Sequence, residues 1–341
     1  MCAKVAIVYN GPSPSRYTAA GEEKAVLGVL EALAAVYNAL VELGYSVSRV
    51  PLVLPLESAR NDLEQLKADL VFNLFEGFPG YPETEALIPE LLSARGIPYT
   101  GCPAPVLKLA LDKAATKKLL KKAGIATADF QVLNPQTLTR FQLRFPCIVK
   151  PRAEDASHGI TPESVVSTLP ALEKQVAAMC RTYGGDTIVE EFIDGREFNV
   201  TVLGNHESTV LPPSEIDYSL PPGAPRLLTF DAKWEPGSLY FENTRVVCPA
   251  KIDAELGEQI STLALAVFRL IDCRGYARVD LRLDSQGHLN VIEVNPNPDI
   301  CPGSGAARQA EAAGMTYTEF VAKIVSLARE RKKKWVSASV L

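Results

Sequence analysis

Ala277-Arg278-Val279-Asp280-Leu281-Arg282-Leu283 and Leu289-Asn290-Val291-Ile292-Glu293-Val294-Asn295 are two stretches in which polar and apolar residues alternate. This two-residue period is typical of strands with one buried and one polar face. The turn-forming residues Asp284-Ser285-Gln286-Gly287 stand between them. The sequence therefore predicts an antiparallel hairpin with a polar face.

That polar face carries groups that suit a metal ion. Glu293 and Asn295 share it because side chains two residues apart leave the same side of a strand. A two- or four-residue connection would add Asp280 to the face, whereas a three-residue connection would turn it away. Two carboxylates and an amide oxygen suit Mg²⁺, and Arg278 could stabilise an oxyanion or a carboxylate. The alternative is an exposed polar face that only meets water.

Two lysines lie upstream at positions that suit phosphate oxygens. Lys150 ends an apolar strand and precedes the small, polar loop 151–160, where backbone N–H groups can close over an anion. Lys113 follows Asp112, the predicted N-cap of a helix that ends at Gly124. A solvent-exposed lysine is the commoner interpretation of either position alone. We expect the other lysines of this helix to form an ordinary exposed face: Lys117, Lys118, Lys121 and Lys122.

A predicted strand at 187–190 continues into an acidic turn at 191–198. Backbone groups at such a hinge can bond the edge of an adenine ring. Glu190 and Glu197 could then accept hydrogen bonds from the adenine amino group and from a ribose hydroxyl. Acidic residues beside a turn are otherwise only polar surface.

The first hundred residues alternate short apolar runs with helical periods, at 5–9, 22–43, 47–50 and 69–74. This βαβ pattern predicts a parallel sheet. The loop after the first strand lacks the GxGxxG spacing, which weakens a dinucleotide-binding interpretation.

Composition excludes several classes of protein. The net charge is -5 and the only basic run is at 331–334, so no surface is prepared for nucleic acid. Seven scattered cysteines without a CxxC pair argue against a zinc site or a disulfide framework. The first apolar run is too short for a signal peptide, and none reaches the ~18 residues of a membrane span. We therefore expect a cytoplasmic protein without nucleic-acid or membrane partners.

In chain order, these motifs resemble the D-alanine:D-alanine ligase family of ATP-grasp enzymes, from about residue 69 to 328. The matching motifs lie at 71–74, 98–101, 111–117, 145–151, 189–198, 278–280 and 293–295. The resemblance implies an α/β (α+β) ATP-grasp fold with an N-terminal Rossmann-like parallel-sheet domain. The implied domains are the N-terminal unit 1–105, the central subdomain 106–190 and the C-terminal subdomain 191–330, followed by a basic tail at 331–341.

The resemblance also implies a role for each candidate site residue. ATP would be held by Lys113, Lys150, Lys233, Glu190, Glu191, Phe192, Ile193 and Glu197. Mg²⁺ or Mn²⁺ would be bound by Asp280, Glu293 and Asn295. The catalytic candidates are Arg278, Lys233 and Ser157, and the substrate-binding candidates are Arg278, Ser304 and Asp299.

By the same resemblance, ATP converts a small-molecule carboxylate donor into an acyl phosphate, which an amino-acid acceptor attacks to form an amide. The segment 211–234 is the candidate lid that keeps water away, and its first part, 211–225, is predicted as a Pro-rich loop. The resemblance further implies a homodimer.

The donor half of the site departs from the family pattern. The loop at 10–17 lacks the family's glutamate, although Glu22 or Glu23 could substitute for it. Ala156 and Trp234 occupy the positions of its serine and tyrosine partners, and Asp299 replaces a glycine. We therefore predict an amide-forming ligase with an altered first-substrate site.

Two other functions remain open from the sequence. One is an orthodox D-alanine:D-alanine ligase of peptidoglycan precursor synthesis, which D-alanine alone would activate. The other is a non-catalytic ATP-binding regulatory protein. The retained lysines and the complete set of Asp280, Glu293 and Asn295 weigh against the latter, because a binding protein need not keep a metal centre.

Overall fold

The computed structural model describes the backbone of residues 2–11, 22–154 and 159–338, and the side chains in these ranges except those of 22–28, Trp234 and 332–338. These residues form three β-sheets with helices packed against them. No helix in the described part of the chain is long and apolar enough to cross a membrane.

The first sheet is parallel, with the strand order β2-β1-β3, as the βαβ pattern predicted. Its elements are β1 (Lys4–Asn10), α1 (Glu22–Glu42), β2 (Ser46–Leu52), α2 (Leu56–Gln65), β3 (Leu70–Leu74) and α3 (Leu87–Ala94). Every residue of β3 is buried, as expected for a parallel strand covered on both faces.

The second sheet is antiparallel, with the strand order β4-β7-β5-β6. Its elements follow α4 (Ala104–Leu111) and α5 (Lys113–Lys122), and they are β4 (Phe130–Leu133), β5 (Cys147–Pro151), β6 (Val165–Val166), α6 (Leu169–Tyr183) and β7 (Thr187–Glu191). Asp112 caps α5 as predicted and accepts bonds from the N–H groups of Ala114 and Ala115 at 3.0 and 3.1 Å. Lys113 N donates to the Arg152 carbonyl at 3.3 Å, which joins the start of α5 to the end of β5.

The third sheet is antiparallel, with the strand order β11-β10-β8-β12-β13, and β9 also pairs with β8. Its strands are β8 (Arg196–Gly204), β9 (Ser208–Val210), β10 (Ser214–Tyr218), β11 (Thr244–Val247), β12 (Gly275–Leu283) and β13 (Leu289–Asn295). Its helices are α7 (Phe230–Trp234), α8 (Leu239–Glu242), α9 (Ala254–Leu270), α10 (Gly305–Ala312) and α11 (Tyr317–Ala338). The predicted hairpin is β12 and β13.

The Pro-rich segment at 211–225 was predicted as a loop, and this is wrong for β10. Leu211, Ser214 and Ile216 are at most 3% exposed, and β10 pairs with β8 and β11 inside the sheet. The prolines stand at 212, 213, 221, 222 and 225, outside the strand, where their missing N–H groups remove no ladder bond. The lid prediction can therefore apply only to 219–234.

The last two helices return to the first sheet. Phe320 and Ile324 of α11 are fully buried in one core with Val36 of α1 and Phe72 of β3. Asn297, just after β13, donates from Nδ2 to the Phe75 carbonyl at 3.2 Å. The end of the hairpin is thereby held against the carboxyl edge of the parallel sheet, where such sheets place ligands.

Candidate active site

The predicted polar face of the hairpin forms as expected. In the register of β12 and β13, Asp280 lies opposite Glu293 and Arg278 lies opposite Asn295. Cross-strand partners project to the same side of a sheet. The two carboxylates, the amide and the guanidinium therefore share one surface.

The connection of this hairpin is longer than the two-, three- and four-residue connections considered from the sequence. Five residues, 284–288, join the strands, and an odd connection alone would place Asp280 and Glu293 on opposite faces. A β-bulge corrects the parity: the pairing shifts between Asp280 and Leu281, and Ile292 is the extra residue on β13.

Basic side chains hold both carboxylates in place. Arg278 donates from Nε and Nη2 to the two oxygens of Asp280 at 2.7 and 2.8 Å. Lys113 Nζ lies 3.0 Å from Glu293 Oε1. Burial alone would raise the pKa of Glu293, but Lys113 and Lys150 hold this pKa down to about 2. The Glu293 carboxyl is therefore ionised at neutral pH.

Lys117 was predicted to be solvent-exposed, and this is wrong. It is 2% exposed, donates to Thr127 Oγ1 at 2.8 Å and lies 3.2 Å from Glu190 Oε2. Lys117 stands three residues from both Ala114 and Leu120, which are buried on the same face of α5. That spacing was the available signal. Burial lowers the pKa of Lys117, and Glu190 opposes this effect.

The two lysines that contact Glu190 both lie beside the same carboxylate oxygen. Lys150 Nζ and Lys117 Nζ lie 3.1 and 3.2 Å from Oε2. Oε1 is buried and has no hydrogen-bond partner among the described residues. Since an unpaired buried acceptor is costly, Oε1 marks a place where a ligand N–H group would fit.

The side chains of the hinge residues Glu191 and Phe192 lie in different environments. The side chain of Glu191 turns to the surface, where Arg144 Nη2 lies 2.7 Å from its Oε2. Phe192 packs in a small apolar cluster with Ile148 and Leu227. The Glu191 N–H donates to the Asp129 carbonyl at 2.9 Å, so only the carbonyl of Glu191 remains suited to an adenine edge.

Lys233 lies on α7, in the segment that follows β10. Burial lowers its pKa, and the positive charge of Arg278 lowers this pKa further. Glu293 and Asp280 oppose the shift. The role of Lys233 at the hairpin face stays a prediction.

The loop after β13 brings Ser304 and Asp299 together. Ser304 Oγ donates to the Asp299 carbonyl at 2.9 Å, and Asp299 Oδ1 accepts the Cys301 N–H at 2.8 Å. Burial raises the pKa of Asp299, and the positive charge of Arg278 opposes this rise. Ser157, the remaining catalytic candidate, lies outside the described residues.

Basic and acidic side chains lie together in this part of the molecule. The basic members are Lys113, Lys117, Lys150, Lys233, Arg278 and Arg282, and the acidic members are Glu190, Glu197, Asp280, Glu293 and Asp299. Charges of both signs suit a ligand that combines phosphate groups with a divalent cation.

Comparison with known proteins decides the family. The family model described as "D-ala D-ala ligase C-terminus" matches residues 119–326, which is more than half of the chain. The chain belongs to the D-alanine–D-alanine ligase family. As a member of that family it has the ATP-grasp fold and is an ATP-dependent ligase that forms C–N bonds.

Three relatives show how far the likeness extends. The D-alanine–D-alanine ligase of Cupriavidus necator is 32% identical over 264 residues, covering 76% of each chain. An uncharacterized protein, y4sG of Sinorhizobium fredii, is 37% identical over 263 residues, covering 77% of this chain and 75% of its own length. The structure of the Bacillus anthracis D-alanine–D-alanine ligase complexed with ATP superposes with a TM-score of 0.74 at 22% identity, covering 98% and 99% of the two chains.

Two buried polar residues behind Asp280 were not identified as site residues from the sequence of this D-alanine–D-alanine ligase family member. Asn199 Nδ2 donates to Asp280 Oδ1 at 2.8 Å. Gln309, on α10, is fully buried and donates from Nε2 to the Asn199 carbonyl at 2.8 Å. Asn199 lies two residues after Glu197 on β8, so a polar side chain repeated at the strand period was the available signal.

Proposed function

We propose that this ligase joins the carboxylate of one small molecule to the amino group of an amino acid through an acyl phosphate made with ATP. The observation that most supports this proposal is that Asp280 lies opposite Glu293, whose carboxylate pairs with Lys113. Acidic metal ligands next to several basic groups suit the transfer of a phosphoryl group, in which charge neutralisation carries most of the catalysis.

The basic side chains have separate proposed tasks. Lys113, Lys150 and Lys233 would bind phosphate oxygens and hold the γ-phosphate toward the substrate carboxylate. Arg278 would stabilise the oxyanion that forms when the amine attacks the acyl phosphate. Ser304 would bind the carboxylate of the acceptor, and Ser157 remains a catalytic candidate from the loop after Lys150.

A divalent cation, Mg²⁺ or Mn²⁺, is proposed to bind Asp280, Glu293 and Asn295. The donor set fits, because two carboxylates and an amide oxygen are hard ligands on one face. No group of three His, Cys, Asp or Glu side chains in the described ranges could hold a metal, so the proposed set depends on Asn295 for its third ligand. When bound, the cation would neutralise charge on the phosphates, and Arg278 would have to release one oxygen of Asp280 for it.

The adenine end of ATP is proposed to lie along the hinge. Glu190 Oε1 would accept a hydrogen bond from the amino group of adenine, and this bond would give the buried oxygen a partner. The carbonyls of Glu191 and Phe192 and the N–H of Ile193 would bond the ring edge. The N–H groups of Glu191 and Phe192 and the carbonyl of Ile193 already have partners. Glu197 would accept a ribose hydroxyl.

The first substrate is proposed to differ from D-alanine in how its amino group is bound. Asp299 adds negative charge beside Arg278, and Glu31 of α1 lies 4.0 Å from Cys301 in the same loop. These acids favour a first substrate with a cationic group near Asp299. Replacing Asp299 by glycine should shift the preferred first substrate, whereas Glu258→Gln on the exposed side of α9 should not.

An orthodox D-alanine:D-alanine ligase is the second candidate, and the likeness to the Cupriavidus necator ligase favours it. The two functions separate in one assay. Purified protein is incubated with ATP, Mg²⁺ and single or paired amino acids of both chiralities, and phosphate release is measured. Turnover with D-alanine alone at full rate supports the orthodox enzyme, while turnover only with a mixed pair supports an altered donor site. Phosphate release that no substrate pair increases would overturn both.

A homodimer in the cytoplasm, where ATP is available, completes the proposal. Helix α1 exposes two large apolar side chains on one face, Leu30 at 40% and Val41 at 48%. They stand eleven residues apart, three helical turns, so they form one stripe. A Val41→Asp variant should shift the mass measured by light scattering from dimer to monomer, and an unchanged dimer would exclude this stripe as the interface.

A further inference from the structure

Arg282 is enclosed near the end of β12, beside the hinge. It is 3% exposed, and its partner in the register of β8 is Glu197. Nη1 donates to the Ile193 carbonyl at 2.7 Å, and Nη2 donates to the Arg226 carbonyl at 2.5 Å. One guanidinium therefore joins the hinge to the segment that follows β10.

The same guanidinium also holds the carboxylate of Glu197. Arg282 Nη2 donates to Glu197 Oε2 at 2.5 Å, and the Tyr218 hydroxyl donates to the same oxygen at 2.8 Å. No described residue donates a hydrogen bond to Oε1 of Glu197. Burial raises the pKa of Tyr218 well above its usual value, and the charge of Glu197 adds to the effect, so the phenol stays a donor.

Two further contacts hold the hinge close to Arg282. Gly195 lies so close to β12 that an added Cβ would stand 1.7 Å from the Leu283 carbonyl oxygen, so only glycine fits there. The ring of Phe192 lies 5.2 Å from the Arg282 guanidinium. The position of the hinge thus depends on β12 and on its arginine.

We propose that Arg282 is a positioning residue for ribonucleotide selection: it fixes Glu197 so that Oε1 faces the nucleotide and accepts a ribose hydroxyl. The inference rests on the proposed ATP site. Because the Glu197 carboxylate is already held through Oε2, it loses little conformational entropy when the nucleotide binds. A deoxynucleotide that lacks the hydroxyl would leave Oε1 without a hydrogen-bond donor. Selection for ribose therefore depends on a residue that need not touch the nucleotide.

The test compares the dissociation constants of ADP, 2′-deoxy-ADP and 3′-deoxy-ADP, measured by calorimetry without turnover. The wild-type protein should bind ADP about 10- to 100-fold more tightly than at least one deoxy analogue, as expected for a hydrogen bond to a charged group. Arg282→Met should reduce this preference to less than about threefold, and Arg282→Lys and Tyr218→Phe should give intermediate values. Arg245→Met, at an exposed arginine of β11, is the matched control and should keep the wild-type preference.

The outcomes separate the inference from the proposed function. If Glu197→Gln keeps the preference, or the wild-type protein has none, the ribose role of Glu197 is wrong and the inference falls with it. If Glu197→Gln loses the preference but the Arg282 and Tyr218 variants keep it, only the inference is overturned. Equal weakening of all three nucleotides also overturns it, because this is the sign of a purely structural role. If Arg282→Met does not fold, Arg282→Lys and Tyr218→Phe decide the question.

Discussion

Asp280 faces Glu293 directly across the β12–β13 hairpin, and the extra residue Ile292 brings them into register. Asn199 and Arg278 bond the first carboxylate, and Lys113 pairs with the second. The bulge therefore decides whether the proposed metal ligands meet on one face.

Removal of either carboxylate should abolish most of the activity. We expect Asp280→Asn and Glu293→Gln to lower kcat by about 100-fold or more at saturating ATP, since loss of one preorganised charge costs about this much. The measurement is ATP-dependent phosphate release at increasing Mg²⁺. Asp284→Asn, in the connection of the same hairpin, is the control. Turnover and Mg²⁺ dependence like those of the wild-type protein would exclude a metal role for the pair.

Asn199 should act on metal affinity more than on the chemical step. Its amide orients Asp280, and Gln309 in turn holds the Asn199 backbone. Loss of such an outer partner typically weakens metal binding about 10- to 100-fold. We expect this loss for Asn199→Ala in a Mn²⁺ binding titration followed by paramagnetic resonance in the presence of ADP. Asn290→Ala on β13 should leave Mn²⁺ binding unchanged, and an equal effect of both variants would contradict the assignment.

The buried lysines depend on Glu190 for stability. Glu190→Gln leaves Lys117 and Lys150 without their shared carboxylate, and loss of one partner of a buried pair costs about 3–5 kcal/mol. Urea unfolding should show this decrease in the free energy of unfolding. The double variant Lys117→Met with Glu190→Gln should recover part of the stability, because it removes a buried charge, but it should not recover ADP binding. A double variant less stable than Glu190→Gln would refute the pairing.

Lys233 should set an alkaline limit on activity. Burial lowers its pKa from the usual 10.5, so as the pH rises it loses the phosphate-binding charge earlier than an exposed lysine would. We expect kcat/KM for ATP to fall on the alkaline side below pH 10.5, and Lys233→Arg to move that limb upward because arginine stays charged. The pH profile of both proteins measures this. An unmoved limb would mean that another group titrates.

Much of the site was predictable because it is local. The alternation around Asp280 and Glu293, the N-cap at Asp112 and the strand that ends at Lys150 all follow from spacing along the chain. The errors arose where distant segments decide the environment. Lys117 looked exposed because its partner Glu190 is 73 positions away. The strand β10 looked like a loop because β9 separates it from its partner β8 and the segment 219–243 separates it from its partner β11.

The sequence by itself determined which chemical groups are available and in what order: the lysines proposed to bind phosphate, the hinge acids and the proposed metal ligands of the hairpin. Periodicity and capping act over a few residues, so they can be read directly. Only the tertiary structure decided that a bulge at Ile292 aligns the carboxylates, that Glu190 lies between two lysines and that Arg282 holds Glu197. These relations depend on register and burial, which arise when strands far apart in the chain pack together.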